Sequence, residues 1–398
     1  MKNLKLIHLR VSLFATVFVL IFFAQKTQAQ TDSTSPLRIA VLAPLYLDSA
    51  FDNYDYKLGN LNIPKYFLQG LEFYNGVTMA IDSLQKEDVN LEVWIYDTKK
   101  KDQSPDSLAK EIEPLHLSLI IASFSNTTEQ KTFSEFSLSN NIPLISATYP
   151  NDAYVKGNPF FVMINSTLKT HVENIYRFVQ RNYLVAKYIF VTRNGSLEER
   201  IQKMFADYRD KAYPLNYTPI QLADNFTYDQ LSPVLDSTKV NIIICGSVNE
   251  TFGSNLLKTL NESATFPLTV VGMPTWDGLK ELSATENENL DIIYSTPYDY
   301  PKDDETIKGL ADEYQTKFNG RPSEMFFKGY ETMYHFSKLL EKYRDEFLNN
   351  IADTSFKISN NFMFQPVKQD AGTLIPDYLE NKKIYFIHTS MGKMVFAN

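Results

Sequence analysis

Two short runs carry the groups best placed to bind something: "LIIASFSNTTEQ", residues 119–130, and "PLISATYP", residues 143–150. In each, apolar residues of strand type stop at small polar ones. The first ends in Ser123, Ser125, Asn126, Thr127 and Thr128, and the second in Ser146, Ala147 and Thr148. In a doubly wound sheet, ligands bind outside the carboxyl ends of the strands. A helix beginning there offers unpaired N–H groups and a partial positive charge, which hold an anion without Lys or Arg. Ser, Thr and Asn are also the preferred N-caps, so part of the cluster is explained by helix capping alone. Two adjacent runs together predict a polar rim suited to a small carboxylate.

Catalytic chemistry finds little support. The histidines, His8, His116, His171, His335 and His388, show no H-x-x-x-H spacing. No G-x-S-x-G elbow, phosphate-binding G-x-x-x-x-G-K-[ST] loop or G-x-G-x-x-G turn occurs. Cys245 is the single cysteine, which excludes an internal disulfide and any metal site built on Cys clusters. Its place in the apolar run "NIIICGSV" reads as a small buried hydrophobe. The expectation is a protein without catalysis, cofactor or bound metal.

Those residues must be positioned by a larger frame. Near-continuous apolar runs recur at 38–45, 91–98, 117–123, 143–148, 160–166, 187–194, 240–247, 268–274 and 291–300. Runs without alternation mark parallel strands covered on both faces. Between them lie amphipathic stripes, such as Phe73, Val77, Ala80, Ile81 and Leu84. Alternating strands and helices predict an α/β protein of doubly wound parallel sheets. At 398 residues, two such sheets are expected rather than one. From Lys357 the chain reads as strands and turns, expected as a small antiparallel cap on the second lobe. A long irregular insertion, Tyr46–Lys65, separates the first strand from the first helix.

The N-terminus reads as an address rather than as fold. Lys2, Lys5 and Arg10 precede an apolar run from Val11 to Ala24 and then "QKTQAQ", the pattern of a secretory signal cleaved after Ala29. An uncleaved anchor is the alternative, although the run is short against the roughly 20 residues a spanning helix needs. No cysteine follows it, so an N-terminal lipid anchor is not expected. A net charge of −8 argues against a nucleic-acid partner.

The most specific segment is "LADEYQTKFNGRPSEMFFKGYETMYHFSKLL", residues 310–340: a helix, a turn at Asn319–Pro322, an N-cap at Ser323 and a second helix. With Phe318, Gly320, Pro322, Ser323, Gly329, Tyr330 and Glu331 in register, it resembles the helix–"FG-x-x-P-S"–helix–"GY-[DE]-A" signature of type I periplasmic binding proteins. These are the leucine/isoleucine/valine-binding branch of the transporter receptors. "IAVLAPL" with Gly70, Gly76 and Ala80 is similar to that family's opening, and "IIASFSNTT" and "IPLISAT" to its third and fourth strands.

The resemblance implies two doubly wound parallel-sheet lobes joined by a hinge of crossover segments, with a ligand held between them. One lobe would comprise 37–166 and 295–346, the other 167–294 and 347–398. Ser125 or Asn126, Ser146 and Thr148 would hold an amino acid's carboxylate and ammonium, with Ser123, Thr127 and Ala147 beside them in the ligand site. Asn194, Ser247 and Asp277 would answer from the second lobe, and Tyr46, Trp276 and Tyr298 would line the cleft. Met273, Pro274 and Thr275 stand where the family's ammonium-pairing acid would be, leaving Asp277 as the nearest carboxylate. The implied role is a periplasmic or otherwise exported receptor, monomeric or weakly dimeric. It would take a small polar ligand, amino-acid-like or amide-like, and deliver it to a membrane permease or sensor. The alternative is a non-catalytic regulator in the cell envelope whose partner is a protein or the peptidoglycan machinery.

Overall fold

Residues 35–52, 55–59, 63–209, 214–284, 286–370 and 372–396 are described by the structure, a computed structural model. The expected signal, residues 1–29, lies outside them, as do parts of the Tyr46–Lys65 insertion.

The apolar runs become strands because their side chains can be covered from both sides. In the first half these are β1 (Leu37–Ala43), β2 (Leu91–Asp97), β3 (Leu119–Ala122), β4 (Leu144–Ser146) and β5 (Phe161–Met163). The second half has β6 (Lys187–Thr192), β7 (Tyr217–Gln221), β8 (Asn241–Cys245), β9 (Leu268–Gly272) and β10 (Leu290–Thr296). The tail adds β11 (Phe364–Val367), β12 (Tyr378–Asn381), β13 (Tyr385–Ser390) and β14 (Lys393–Phe396). Two seven-stranded sheets result, ordered β11-β12-β5-β4-β3-β1-β2 and β14-β13-β10-β9-β8-β6-β7. The first five strands of each are parallel and repeat one winding, β2-β1-β3-β4-β5 and β7-β6-β8-β9-β10. In that winding the strand order reverses between β1 and β3, and again between β6 and β8, which is where such sheets bind ligands.

Helices cover both faces of each sheet. They are α1 (Lys65–Lys86), α2 (Pro105–Ile112), α3 (Thr127–Asn140), α4 (Leu168–Asn182), α5 (Ser196–Arg209), α6 (Glu250–Ser263), α7 (Glu305–Phe318) and α8 (Glu324–Tyr343). Alternate residues of β1 serve opposite cores: Ile39, Val41 and Ala43 face α1 and α8, while Ala40 and Leu42 face α2 and α3. The second sheet is packed the same way on both sides.

The tail corrects the expected boundary. Residues 347–398 were expected to belong wholly to the second lobe, but β12 pairs parallel to β5 and β11 antiparallel to β12. Phe347, Ile351 and Phe362 are buried in the first lobe's core. Only β13, antiparallel to β10, and β14 extend the second sheet. Local pattern makes a strand, but two equivalent sheet edges compete for it and only packing decides.

Three crossovers link the lobes, after β5, β10 and β12. The chain leaves β5 at Met163 and starts α4 at Leu168, leaves β10 at Thr296 and starts α7 at Glu305, and leaves β12 at Asn381 and starts β13 at Tyr385. Because β12 is parallel to β5 and β13 antiparallel to β10, all three connections sit at the carboxyl ends of both parallel sheets. They are tied together: Ser166 Oγ donates to Asn381 O at 2.6 Å, and Thr167 N and Thr170 Oγ1 donate to the buried Glu380 Oε1 at 2.8 and 2.6 Å. His171 Nδ1 meets Ser295 Oγ at 2.9 Å; burial pushes this imidazole down to about 3, so it stays neutral.

The segment that resembles the family signature fastens α7 and α8 to α1. A Cβ on Gly76 would lie 2.0 Å from Phe326 O, and one on Gly329 2.2 Å from Phe73 O, so the two backbones touch through a glycine pair. Ser323 stands at the N-cap of α8, yet its side chain makes no cap bond. Its N–H and hydroxyl instead donate to Glu72 Oε2 at 3.1 and 3.2 Å, and Tyr314 OH binds the other oxygen of that carboxylate.

Candidate functional site

Building outward from β3 and β4, the first lobe's polar rim forms as a network already closed on itself. Asn126 caps α3 by accepting Glu129 N at 2.9 Å. The Glu129 carboxylate folds back over the same turn and accepts Ser125 N at 3.2 Å, Ser125 Oγ at 3.3 Å and Asn126 Nδ2 at 2.9 Å. Lys99, from the loop after β2, closes on Glu129 Oε1 at 2.5 Å. The glutamate side chain is 3% exposed. Thr127 Oγ1 lies 3.1 Å from Tyr149 OH, and Ser123 Oγ 3.0 Å from Thr148 Oγ1.

Beside it, β2 ends in Asp97, whose carboxylate organises the turn after β1. It accepts Leu45 N and Tyr46 N at 2.9 and 3.0 Å on one oxygen and Leu47 N at 2.8 Å on the other. Tyr46 is held in the left-handed region, φ 56°, with its ring edge-on to Tyr66 at 5.1 Å and tilted against Phe67 at 5.6 Å. A left-handed tyrosine is costly unless its surroundings fix it, and Asp97 is the group that does so.

The second lobe also holds a buried carboxylate at its own switch point. Glu198, in the first turn of α5, accepts Ser247 Oγ from the end of β8 at 2.7 Å and Arg193 Nη1 from the end of β6 at 3.4 Å. Arg193 also grips Asp224 with two bonds, at 2.5 and 2.8 Å. Each lobe therefore places a buried carboxylate, neutralised by its own cation, where its strand order reverses.

Charge also acts between the lobes. Asp277, after β9, accepts Tyr294 OH at 3.0 Å, and its charge acts on Glu324 at the start of α8. Burial first, and then the neighbouring Asp277, push the Glu324 carboxyl up to about 7 against the opposing pull of Lys328. Lys328 Nζ lies 3.1 Å from Glu324 and 4.2 Å from the centre of the Tyr298 ring. Tyr298, on the second crossover, donates its hydroxyl to Ala147 O and so links the hinge to β4.

The structure thus brings Ser125, Asn126, Thr127 and Tyr46 to the first lobe's rim, half-buried, and leaves Asn194 and Asp277 exposed on the second. Other expected residues are placed differently. Ser123, Ser146, Ala147 and Ser247 are wholly buried, and Thr148 and Tyr298 nearly so. Trp276 is a core residue rather than cleft lining. Its indole lies across Gly272 and Gly253, where an added Cβ would come within 2.1 and 2.5 Å of it. An aromatic just past a strand end can fold back over its own sheet, and Trp276 does so because two glycines leave it room.

Lys99, Glu129, Arg193, Glu198, Glu324 and Lys328 had no part in the expected site. Only Glu129 carried a signal, as the fourth residue of the capping sequence N-x-x-E that starts at Asn126.

Two concavities stand out among the described residues. One of about 450 Å³ sits at the amino ends of β6 and β7, bordered by Leu184, Val185, Tyr188 and Lys239. A void of about 10 Å³, roughly one water, lies behind Glu129 against Asp97, Ser104 and Phe133. Among the described residues no cluster of His, Cys, Asp or Glu could hold a metal, and no helix is long and apolar enough to cross a membrane.

No family model matches the chain, and no curated protein matches it in sequence. Solved structures do match in shape. A candidate branched-chain amino acid ABC transporter protein from Rhodospirillum rubrum superimposes with a TM-score of 0.66 at 12% identity, over 91% of this chain and 100% of that one. The branched-chain amino acid transporter substrate-binding protein of Streptococcus pneumoniae, in complex with isoleucine, gives 0.54 at 15% identity, over 90% and 98%. An ABC transporter substrate-binding protein from Desulfitobacterium hafniense, in complex with Leu, gives 0.59 at 11% identity, over 91% and 100%. At such identities the likeness is one of fold, and the fold is the two-lobed architecture of the type I periplasmic binding proteins.

Proposed function

We propose that this chain is an exported, non-catalytic solute-binding receptor. It captures a small polar ligand between its lobes and presents it to an ABC-type permease or to a sensor. One observation carries the reading: the three crossovers lie at the carboxyl ends of both sheets, so the polar strand ends of the two lobes look toward a common gap. A hinge of three short, hydrogen-bonded segments lets two rigid lobes close on a ligand without repacking either core. The solved proteins of the same fold that carry Ile or Leu support a small solute as the ligand class. Ser125, Asn126 and Tyr46 from the first lobe and Asn194 and Asp277 from the second are the residues proposed to meet it.

A second reading, a non-catalytic cell-envelope interaction protein, is favoured by one feature. Both switch points are filled by the chain's own carboxylates, Glu129 and Glu198. Thermal unfolding of the mature chain against amino acids, amides, oligopeptides and cell-wall fragments separates the two. A true ligand at a hundred times its Kd adds about 2.7 kcal/mol of stability. Silence across the whole panel, with an envelope protein retained on the purified chain, would replace the receptor by the interaction protein.

A further inference from the structure

A plain capping glutamate binds the N–H of the cap residue and stays in water. Glu129 does more. It reaches past the Asn126 cap to the N–H and hydroxyl of Ser125, takes the Asn126 amide as well, and is sealed by Lys99 at 2.5 Å from another loop. These are the donors that would grip a ligand's carboxylate, and a carboxylate already occupies them. Glu198, in the second lobe, holds Ser247 from beyond β8 and Arg193, with 5% of its side chain exposed. A free acid entering the first lobe would find its donors taken by a carboxylate that Lys99 already pairs.

We infer that Glu129 is a resident occupant of the first lobe's carboxylate position and sets the specificity of the cleft. It shuts free carboxylates out and reserves that rim for a ligand whose facing end is uncharged and carries N–H donors for the carboxylate, such as a primary amide. This rests on the receptor reading above and narrows its ligand class.

The test is a gain of function. Glu129→Ala removes the occupant and leaves Ser125 N–H, Asn126 Nδ2 and Lys99 Nζ converging on vacated space. Glu129→Gln keeps the shape and removes the charge, so it serves if the alanine variant does not fold. Acetate, glycine and acetamide are titrated by calorimetry at constant ionic strength. Acetate should bind Glu129→Ala at least tenfold more tightly than wild type, and Glu129→Gln more tightly than wild type by a smaller factor. Acetamide should show no comparable gain. Equal acetate affinity in the wild type and the folded variants overturns the inference. Tight glycine binding by wild type, lost when its carboxylate is amidated, overturns it too while leaving the receptor reading intact. Acetate gained by the variants with no solute bound by wild type would keep Glu129 as the occupant and remove the receptor.

Discussion

Lys99 and Glu129 form the most consequential pair of single residues. Removing Lys99 leaves Glu129, 3% exposed, with an uncompensated charge. Breaking one side of a buried pair costs about 3–5 kcal/mol, far more than the pair itself contributes. Lys99→Ala is therefore expected to lower stability by about 3 kcal/mol in urea unfolding, because Lys99 keeps some contact with water. The double variant with Glu129→Gln should recover most of that loss. If the losses simply add, the two residues do not act as a pair. Trp276 makes the opposite case, a residue of promising type that is structural. Trp276→Ala should cost about 3–5 kcal/mol through the cavity it leaves, and its binding profile against a ligand panel should match wild type. A change in ligand selectivity would return it to the cleft.

At the scale of elements, the contact of α1 with α8 decides how the first lobe is held. The glycine pair Gly76 and Gly329 lets each helix backbone rest on the other, since a Cβ at either would fall within 2.0–2.2 Å of a carbonyl oxygen. Gly329→Ala is expected to destabilise by about 1–3 kcal/mol, the cost of overpacking, and to be read as a lower midpoint in chemical unfolding. An unchanged midpoint would mean that the helices separate freely. Strand legibility also belongs at this scale. β3, β8 and β9 were readable as unbroken apolar runs because both faces are covered. β7 was not: it is an edge strand, largely exposed and interrupted by Pro219, so its pattern resembles a loop.

Over the whole molecule, the charge of Asp277 acting on Glu324 is expected to couple the lobes to pH. Where the lobes meet, Glu324 has its carboxyl raised from its ordinary 4.5 to about 7 by burial and by Asp277, with Lys328 opposing. A raised carboxyl holds its proton more tightly in that arrangement than when exposed, so the arrangement in which the lobes meet gains from acid. Its advantage is full below about 4.5 and fades as pH rises through about 7. Small-angle scattering should therefore show a larger radius of gyration at pH 8 than at pH 5. Glu324→Gln, which removes the titrating carboxyl, should abolish the difference. A radius that stays constant in wild type would exclude the coupling.

By itself the sequence determined that this is an α/β protein of two wound sheets. Unbroken apolar runs and amphipathic stripes are short-range patterns, and burial on two faces leaves a mark every few residues. It also located the polar turns at 123–128 and 146–148, because capping chemistry is local. Only the tertiary structure decided what fills those turns, which sheet edges the tail strands join, and that Trp276 is core. Each depends on residues far apart in the chain arriving together, as Lys99 does at Glu129 thirty positions away. A side chain's neighbours across the fold, and not its own type, fix whether it greets a ligand or takes the ligand's place.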